Sequence, residues 1–242
     1  MPTPPGRIFL LSHMRAYTSL VGHLLGSHPE IDGYYEMHRS YAGPADLAEQ
    51  ARHYRTHDPF KPGSRFLFDK LLHNDYTLAL DALDATPLIV LMALRPPEPT
   101  LKSIVSLFAR KPGCDPYADP AGAAAYYIDR LRALAAFGER HAGRFHYFDA
   151  ALVRSDTARL LAALQDWLRL ATPLADHYQL FARTGVAGAG DSSTAIASGH
   201  VVRDDTPYPA LTLDAATLRH AEAAYAECRA RLVSRAAAAL TG

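Results

Sequence analysis

Short apolar runs of strand length alternate along this chain with longer stretches of helical period. Ile8-Phe-Leu-Leu11 is the first such run and predicts a buried strand. A polar loop, Ser12-His-Met-Arg-Ala-Tyr17, follows it. Leu20, Val21, Leu24 and Leu25 then recur at helical spacing, with Thr18 or Ser19 where a capping hydroxyl belongs. Phe66-Leu-Phe-Asp69 predicts a second strand and Leu88–Leu94 a third. The third is apolar throughout, the pattern of a central parallel strand covered on both faces. Helices are predicted from about Pro99 to Arg110 and over 121–141, with a fourth strand at Phe145-His-Tyr-Phe148. An amphipathic helix carries Leu160, Leu161, Leu164, Trp167 and Leu168. From Arg183 to Pro209 the chain is polar and Gly/Ser-rich, without helical period. A last helix bears Leu218, Ala221, Tyr225, Cys228 and Leu232 on one stripe. Strands alternating with helices imply an α/β domain of three layers, its central parallel sheet flanked by helices.

Composition narrows this picture. The 242 residues are 49% hydrophobic and 21% charged, near the averages of about 45–50% and about 25% for globular domains. No compositional break divides them, so one domain is expected over 1–242, with a flexible start at 1–6. Lys plus Arg (25) equals Asp plus Glu (25), which argues against nucleic acid or another long polyanion as partner. One small, highly charged ligand in a local pocket is compatible with neutrality. Cys114 and Cys228 stand in unrelated contexts, so neither a disulfide framework nor a Cys-rich metal site is expected. No apolar run approaches a membrane span, and the start lacks the apolar core of a secretory leader. A cytoplasmic protein without transmembrane segment is the expectation.

The strand–loop–helix opening is where chemistry concentrates. In a parallel α/β sheet, ligands bind beyond the C-terminal strand ends, and a helix N-terminus there favours an anion. Arg15, Thr18 and Ser19 add a cation and two hydroxyls at that place. The Gly-x4-Gly-Lys-Ser/Thr signature of ATPases and GTPases is absent. Arg95 ends the long apolar strand, and Ser103 follows eight residues later inside the next helix. A second strand–helix unit therefore offers two further phosphate-compatible groups.

Arg15-Ala-Tyr-Thr-Ser-Leu20, with Leu24-Leu-Gly-Ser-His-Pro-Glu-Ile31 after it, resembles the opening of sulfotransferases that use 3′-phosphoadenosine 5′-phosphosulfate (PAPS). Arg95 and Ser103 are similar to that family's Arg and Ser that hold the donor's 3′-phosphate. Phe148-Asp-Ala-Ala-Leu-Val153 resembles its Tyr-Glu-Asp-Leu segment. Gly188-Ala-Gly-Asp-Ser-Ser193, with Ser198-Gly199 and Arg203, resembles a late loop that closes over the nucleotide. The resemblance implies a P-loop-like fold. It also implies a donor site of Arg15, Ala16, Tyr17, Thr18, Ser19, Arg95, Ser103, Gly190, Ser192 and Arg203. Ala16-Tyr17 stands where the family usually has Ser-Gly. Tyr17 lacks the backbone freedom of glycine, which implies either another loop path or a ring lining the acceptor pocket.

The implied reaction passes a sulfuryl group to a hydroxyl or amine and leaves adenosine 3′,5′-bisphosphate, with no metal required. It calls for a cation on the leaving oxygen and a base on the acceptor. Arg15 fits the first role and Lys70 is a second cation. Glu36, in Gly33-Tyr-Tyr-Glu-Met-His38, is placed like the Glu base of the protein-tyrosine sulfotransferase branch, with His13, His38 and His73 as alternatives. Partial burial by Tyr34 and Tyr35 would suit a carboxylate base. His23 and His28 read as structural. Tyr17, Tyr34, Tyr35, Tyr41 and Tyr76 are candidates for lining the acceptor pocket, shaped by 38–64 and 110–120. Small molecule, glycan, lipid and peptide acceptors all remain open, as does the oligomeric state. Two other readings stand beside this one: a non-catalytic nucleotide-binding module of the same fold, and an atypical kinase-like phosphotransferase.

Overall fold

A computed structural model describes residues 3–110, 113, 115–186, 195–203 and 211–242. Among these, six strands form one parallel sheet: β1 (Gly6–Leu11), β2 (Ile31–Asp32), β3 (Phe66–Leu71), β4 (Leu88–Leu94), β5 (His146–Asp149) and β6 (Ala238–Leu240). Their order is β2-β3-β1-β4-β5-β6, so β1 lies between β3 and β4 in parallel register, Leu10 facing Lys70 and Leu91. The flanking helices are α1 (Thr18–Gly26), α2 (Pro44–Arg55), α3 (Pro97–Phe108), α4 (Pro120–Arg140), α5 (Leu152–Ser155), α6 (Thr157–Leu168) and α7 (Ala215–Arg235).

Strand alternation divides the core. Phe9 and Leu11 of β1, with Val90, Met92 and Leu94 of β4, face one layer: Leu101 and Ile104 of α3, Tyr127, Leu131 and Leu134 of α4, and Ala221, Cys228 and Leu232 of α7. Ile8, Leu10, Leu91 and Ala93 face the other, against Val21, Leu24 and Leu25 of α1 and Leu160, Leu161, Leu164 and Leu168 of α6. Period two in the strands and period 3.6 in the helices thus meet in a helix–sheet–helix sandwich. Gly22 lets the chain at Tyr34 run directly against α1, because a Cβ there would collide with the Tyr34 carbonyl oxygen.

Several expectations change. Gly6 already belongs to β1, and the buried Pro4 accepts a hydrogen bond from Arg7 Nη1 at 2.7 Å, so the strand begins one residue inside the 1–6 segment. Neither Thr18 nor Ser19 caps α1. The cap position is Tyr17, in left-handed backbone (φ 57) and without a side-chain cap bond. Four elements had no counterpart in the pattern: α2, whose buried face is only Leu47, Gln50, Ala51 and Tyr54, the one-turn α5, and the short strands β2 and β6.

Candidate active site

Most residues proposed for the site follow the C-terminal ends of β1, β3 and β4, while Glu36 follows β2. The chain leaving β1 is tied down at once: Ser12 donates through Oγ to the Ala93 carbonyl on β4 at 2.7 Å, and its amide donates to Leu71 on β3 at 3.2 Å. His13 is fully buried. Its Nε2 lies 3.1 Å from the Arg95 backbone N–H and its Nδ1 2.9 Å from the Met14 carbonyl. The backbone donor requires Nε2 to accept, so Nδ1 carries the proton. Burial pushes the imidazole down to about 3. With its lone pair spent on Arg95, His13 joins β1 to β4 and is no base.

From this rigid start the loop brings the proposed cations together. Arg15 is in left-handed backbone (φ 62). Its Nε donates to Ser103 Oγ at 2.8 Å, and its carbonyl accepts from Arg95 Nη1 at 3.0 Å. Lys70, buried at the end of β3, donates to Ser19 Oγ at 2.9 Å. Thr18 is buried at the first position of α1. Arg15, Thr18, Ser19, Lys70, Arg95 and Ser103 therefore surround one turn, although they come from three strand–helix units. Ala16 is fully buried in the core on the α1 side, so only its backbone faces this turn. Gly190 and Ser192 lie outside the described residues. Arg203 is exposed, directly after Val202.

Tyr17 keeps the left-handed conformation that glycine adopts more readily. The loop thus makes the turn despite the substitution. Its ring lies under Arg95 (4.3 Å from guanidinium carbon to ring centroid) and beside Arg154 (5.4 Å). Arg154 also donates to the Val202 carbonyl at 2.7 Å and to the Tyr17 hydroxyl at 3.4 Å. Tyr17 belongs to the cationic side of the site and links the loop to the 201–203 segment.

Glu36 stands beyond β3. It is 7% exposed, and its Oε1 is buried without a hydrogen-bond partner among the described residues. His38 Nδ1 is 3.7 Å away, too far for a hydrogen bond. The carboxylate's charge acts on His73, Tyr126 and Arg130. His38 is 43% exposed, in left-handed backbone (φ 52), with its ring 5.6 Å from Tyr76. Half-buried His73 lies 5.5 Å from the Tyr126 ring, and burial lowers its pKa.

The tyrosines sort differently from the expectation. Tyr34 stacks on Phe181 (4.1 Å) and meets His23 (5.3 Å), while Tyr35 stacks on Tyr54 (6.4 Å). These rings form an aromatic cluster with Phe60 and Leu67. Tyr41 is fully buried and gives its hydroxyl to Asp69, so it lines no pocket. Of the five tyrosines named, Tyr76 has its ring against His38, whose Nδ1 lies 3.7 Å from Glu36. Tyr126 and Tyr117, 5.3 Å apart, extend that side. His23 and His28 bond to Thr184 and Thr172, which fits their structural reading.

Sequence reasoning missed four residues. Asp69 is fully buried in β3. Arg130 donates to the carbonyls of Ser12 (2.8 Å) and Leu71 (2.7 Å), closing the ends of β1 and β3. Tyr126 accepts the Met14 amide at 2.8 Å and donates to the Leu72 carbonyl at 2.8 Å. Arg154 is the fourth. One signal existed for Arg130, a cation three residues after Tyr127 on the buried stripe of α4. Among the described residues, no group of three His, Cys, Asp or Glu side chains is placed to hold a metal ion, and no helix is long and apolar enough to cross a membrane.

No protein-family model matches the chain, and no curated protein does. Among solved structures, it is similar to the sulfotransferase domain from the Synechococcus PCC 7002 olefin synthase, with a TM-score of 0.58 and 16% identity. That match covers 92% of this chain and 95% of that one. It is also similar to the sulfotransferase domain from the curacin biosynthetic pathway, with a TM-score of 0.53 and 15% identity, covering 92% and 98%. The chain has the fold of sulfotransferase domains.

Proposed function

We propose that this protein is a sulfotransferase that moves the sulfuryl group of PAPS to a hydroxyl or amine acceptor, with Glu36 as general base. The observation that carries this reading is the convergence of Arg15, Lys70, Arg95, Ser19 and Ser103 on one turn at the N-terminus of α1. An uncapped helix start surrounded by three cations and two hydroxyls suits a ligand with several anionic groups. Arg95 and Ser103 would take the 3′-phosphate, and Arg15 and Lys70 the charge that develops on the leaving oxygen. Glu36 Oε1, buried and without a donor among the described residues, would accept the acceptor's proton. The acceptor oxygen then forms its bond to sulfur as the bond from sulfur to the 5′-phosphate oxygen breaks. The proton ends on Glu36 and the electron pair on adenosine 3′,5′-bisphosphate. Placing donor and acceptor in line and stabilising the leaving charge is the electrostatic work such a site can do.

Adenosine 3′,5′-bisphosphate is expected to raise the thermal unfolding midpoint, and Arg95→Ala to remove most of that rise. Glu36→Gln is expected to abolish transfer from labelled PAPS while leaving bisphosphate binding intact. Stabilisation by ATP and none by the bisphosphate would overturn the donor assignment.

A further inference from the structure

Asp69 is an acid in the interior of the sheet, between Phe68 and Lys70 on a strand that is buried along its whole length. Its Oδ1 accepts two backbone N–H groups, Met37 at 2.9 Å and Lys70 at 2.7 Å. Its Oδ2 accepts the Tyr41 hydroxyl. Met37 directly follows Glu36, and Lys70 is the proposed second cation. One carboxyl oxygen therefore holds the backbone beside the base and the backbone of the cation at a common point.

The segment that carries Glu36 needs such a hold. His38, two residues on, is a non-glycine residue at φ 52, a conformation that costs about 1–2 kcal/mol and persists only where surrounding bonds impose it. Glu36 itself contributes no hydrogen bond through Oε1 among the described residues. Burying a carboxyl group in a strand is unfavourable for folding alone, and an apolar residue would fill the β3 position at lower cost. Local chemistry that conflicts with the fold's own preference points to the site it adjoins.

We propose that Asp69 is a positioning residue that fixes Glu36 relative to Lys70 through the Met37 and Lys70 amides. The proposal rests on the sulfotransferase reading for its catalytic consequence, and on geometry alone for the anchoring itself. Asp69→Leu keeps the branching at Cγ, although it is bulkier, and removes both acceptors. Asp69→Asn keeps an Oδ1 able to accept both amides. Tyr147→Phe, which deletes a buried hydroxyl bonded to Asp149 at 2.7 Å on β5, controls for a general loss of stability.

Asp69→Leu is expected to lower kcat by about 10–100-fold, since a misplacement of about 1 Å at a reacting group can cost about 100-fold. The Kd for adenosine 3′,5′-bisphosphate should change less than about threefold, because the donor loop and Arg95 are held by other bonds. Asp69→Asn should recover most of kcat, and Tyr147→Phe should leave it unchanged. Amide hydrogen exchange on the wild-type protein supplies a readout apart from activity. Met37, although in a loop, should be protected, and Asp69→Leu should release the 36–38 segment while α1 stays protected. Unprotected Met37 in the wild type overturns the anchoring role. An unchanged kcat in Asp69→Leu, a parallel loss of bisphosphate affinity, or an Asn variant as impaired as the Leu variant overturns the positioning role. If the wild type transfers nothing from PAPS, the sulfotransferase reading fails, and the exchange measurement still decides whether Asp69 holds the segment.

Discussion

Replacing Tyr17 by glycine separates two opposed contributions at the loop. At φ 57 a tyrosine carries about 1–2 kcal/mol of backbone strain that glycine relieves. Part of that gain is offset by the greater freedom of glycine in the unfolded chain, about 0.5–1 kcal/mol. Against it stands the loss of the ring between Arg95 at 4.3 Å and Arg154 at 5.4 Å. Each half-buried cation–π contact is worth about 1 kcal/mol. The balance is a net loss of about 1 kcal/mol, which in a chain of this size lowers the unfolding midpoint by about 2–4 °C.

The effect on ligand binding should be larger than the effect on stability. Without the ring, Arg95 keeps its bond to the Arg15 carbonyl but loses the surface that fixes its plane. A tenfold weaker Kd for adenosine 3′,5′-bisphosphate by calorimetry corresponds to about 1.4 kcal/mol, within the range of one misplaced charged contact. Tyr17→Phe retains the ring and gives up only the 3.4 Å bond from Arg154, so both midpoint and affinity should stay near wild type. A glycine variant that is more stable and binds the bisphosphate more tightly would refute the reasoning. The ring would then add nothing, and the strain would be the only term.

Two further outcomes follow from the same strand ends. Burial raises the Asp69 carboxyl to about 7 in the folded chain, against 3.8 for an ordinary aspartate. The folded state therefore holds an extra proton between those values, and the Asp69 contribution to stability falls as pH rises from about 4 to about 7, by up to about 1.4 kcal/mol per pH unit. Urea unfolding from pH 5 to pH 8 should show wild type losing ground to Asp69→Asn as pH rises, and parallel curves would contradict it. Gly33 has φ +86, and a Cβ there would strike the Phe68 carbonyl oxygen. Gly33→Ala should cost at least about 2 kcal/mol in urea unfolding, and a loss under about 0.5 kcal/mol would mean that the approach of this segment to β3 is looser than described.

What could be read from the sequence depended on whether a signal was local. The β4 strand is legible residue for residue because both its faces are covered, leaving an unbroken apolar run from Leu88 to Leu94. Arg95 and Ser103 are legible because one strand–helix unit contains both, and Arg15 with Ser19 because one loop does. By contrast, α2 hides its buried Leu47, Ala51 and Tyr54 among charged residues, and its fourth buried residue is the polar Gln50. The two short strands offer no run to detect. The capping misreading has its cause in the tertiary structure: Ser19 bonds to Lys70, 51 residues away, instead of closing its own helix. Tyr34 and Tyr35 were expected around Glu36 on adjacency alone, but their rings pack with Phe181 and Tyr54, whereas the charge of Glu36 is felt by His73, Tyr126 and Arg130.

Three of the four missed residues share one property, which is that their meaning exists only once the strand ends are neighbours. Asp69, Arg130 and Tyr126 each bond to the backbone of a segment on another strand's end, and no spacing along the chain encodes that. The same holds for charge. Equal totals of acid and base give no reason to expect a long polyanion but say nothing about local field. Arg140 and Arg144 are matched by Asp81, Arg229 by Asp149, and Arg231 by Glu227. Buried Arg7 and Arg130 are spent on backbone carbonyls. The guanidiniums of Arg15, Arg95 and Arg154 gather about Ser103 and the ring of Tyr17. They meet there because the sheet order sets the ends of β3, β1, β4 and β5 side by side.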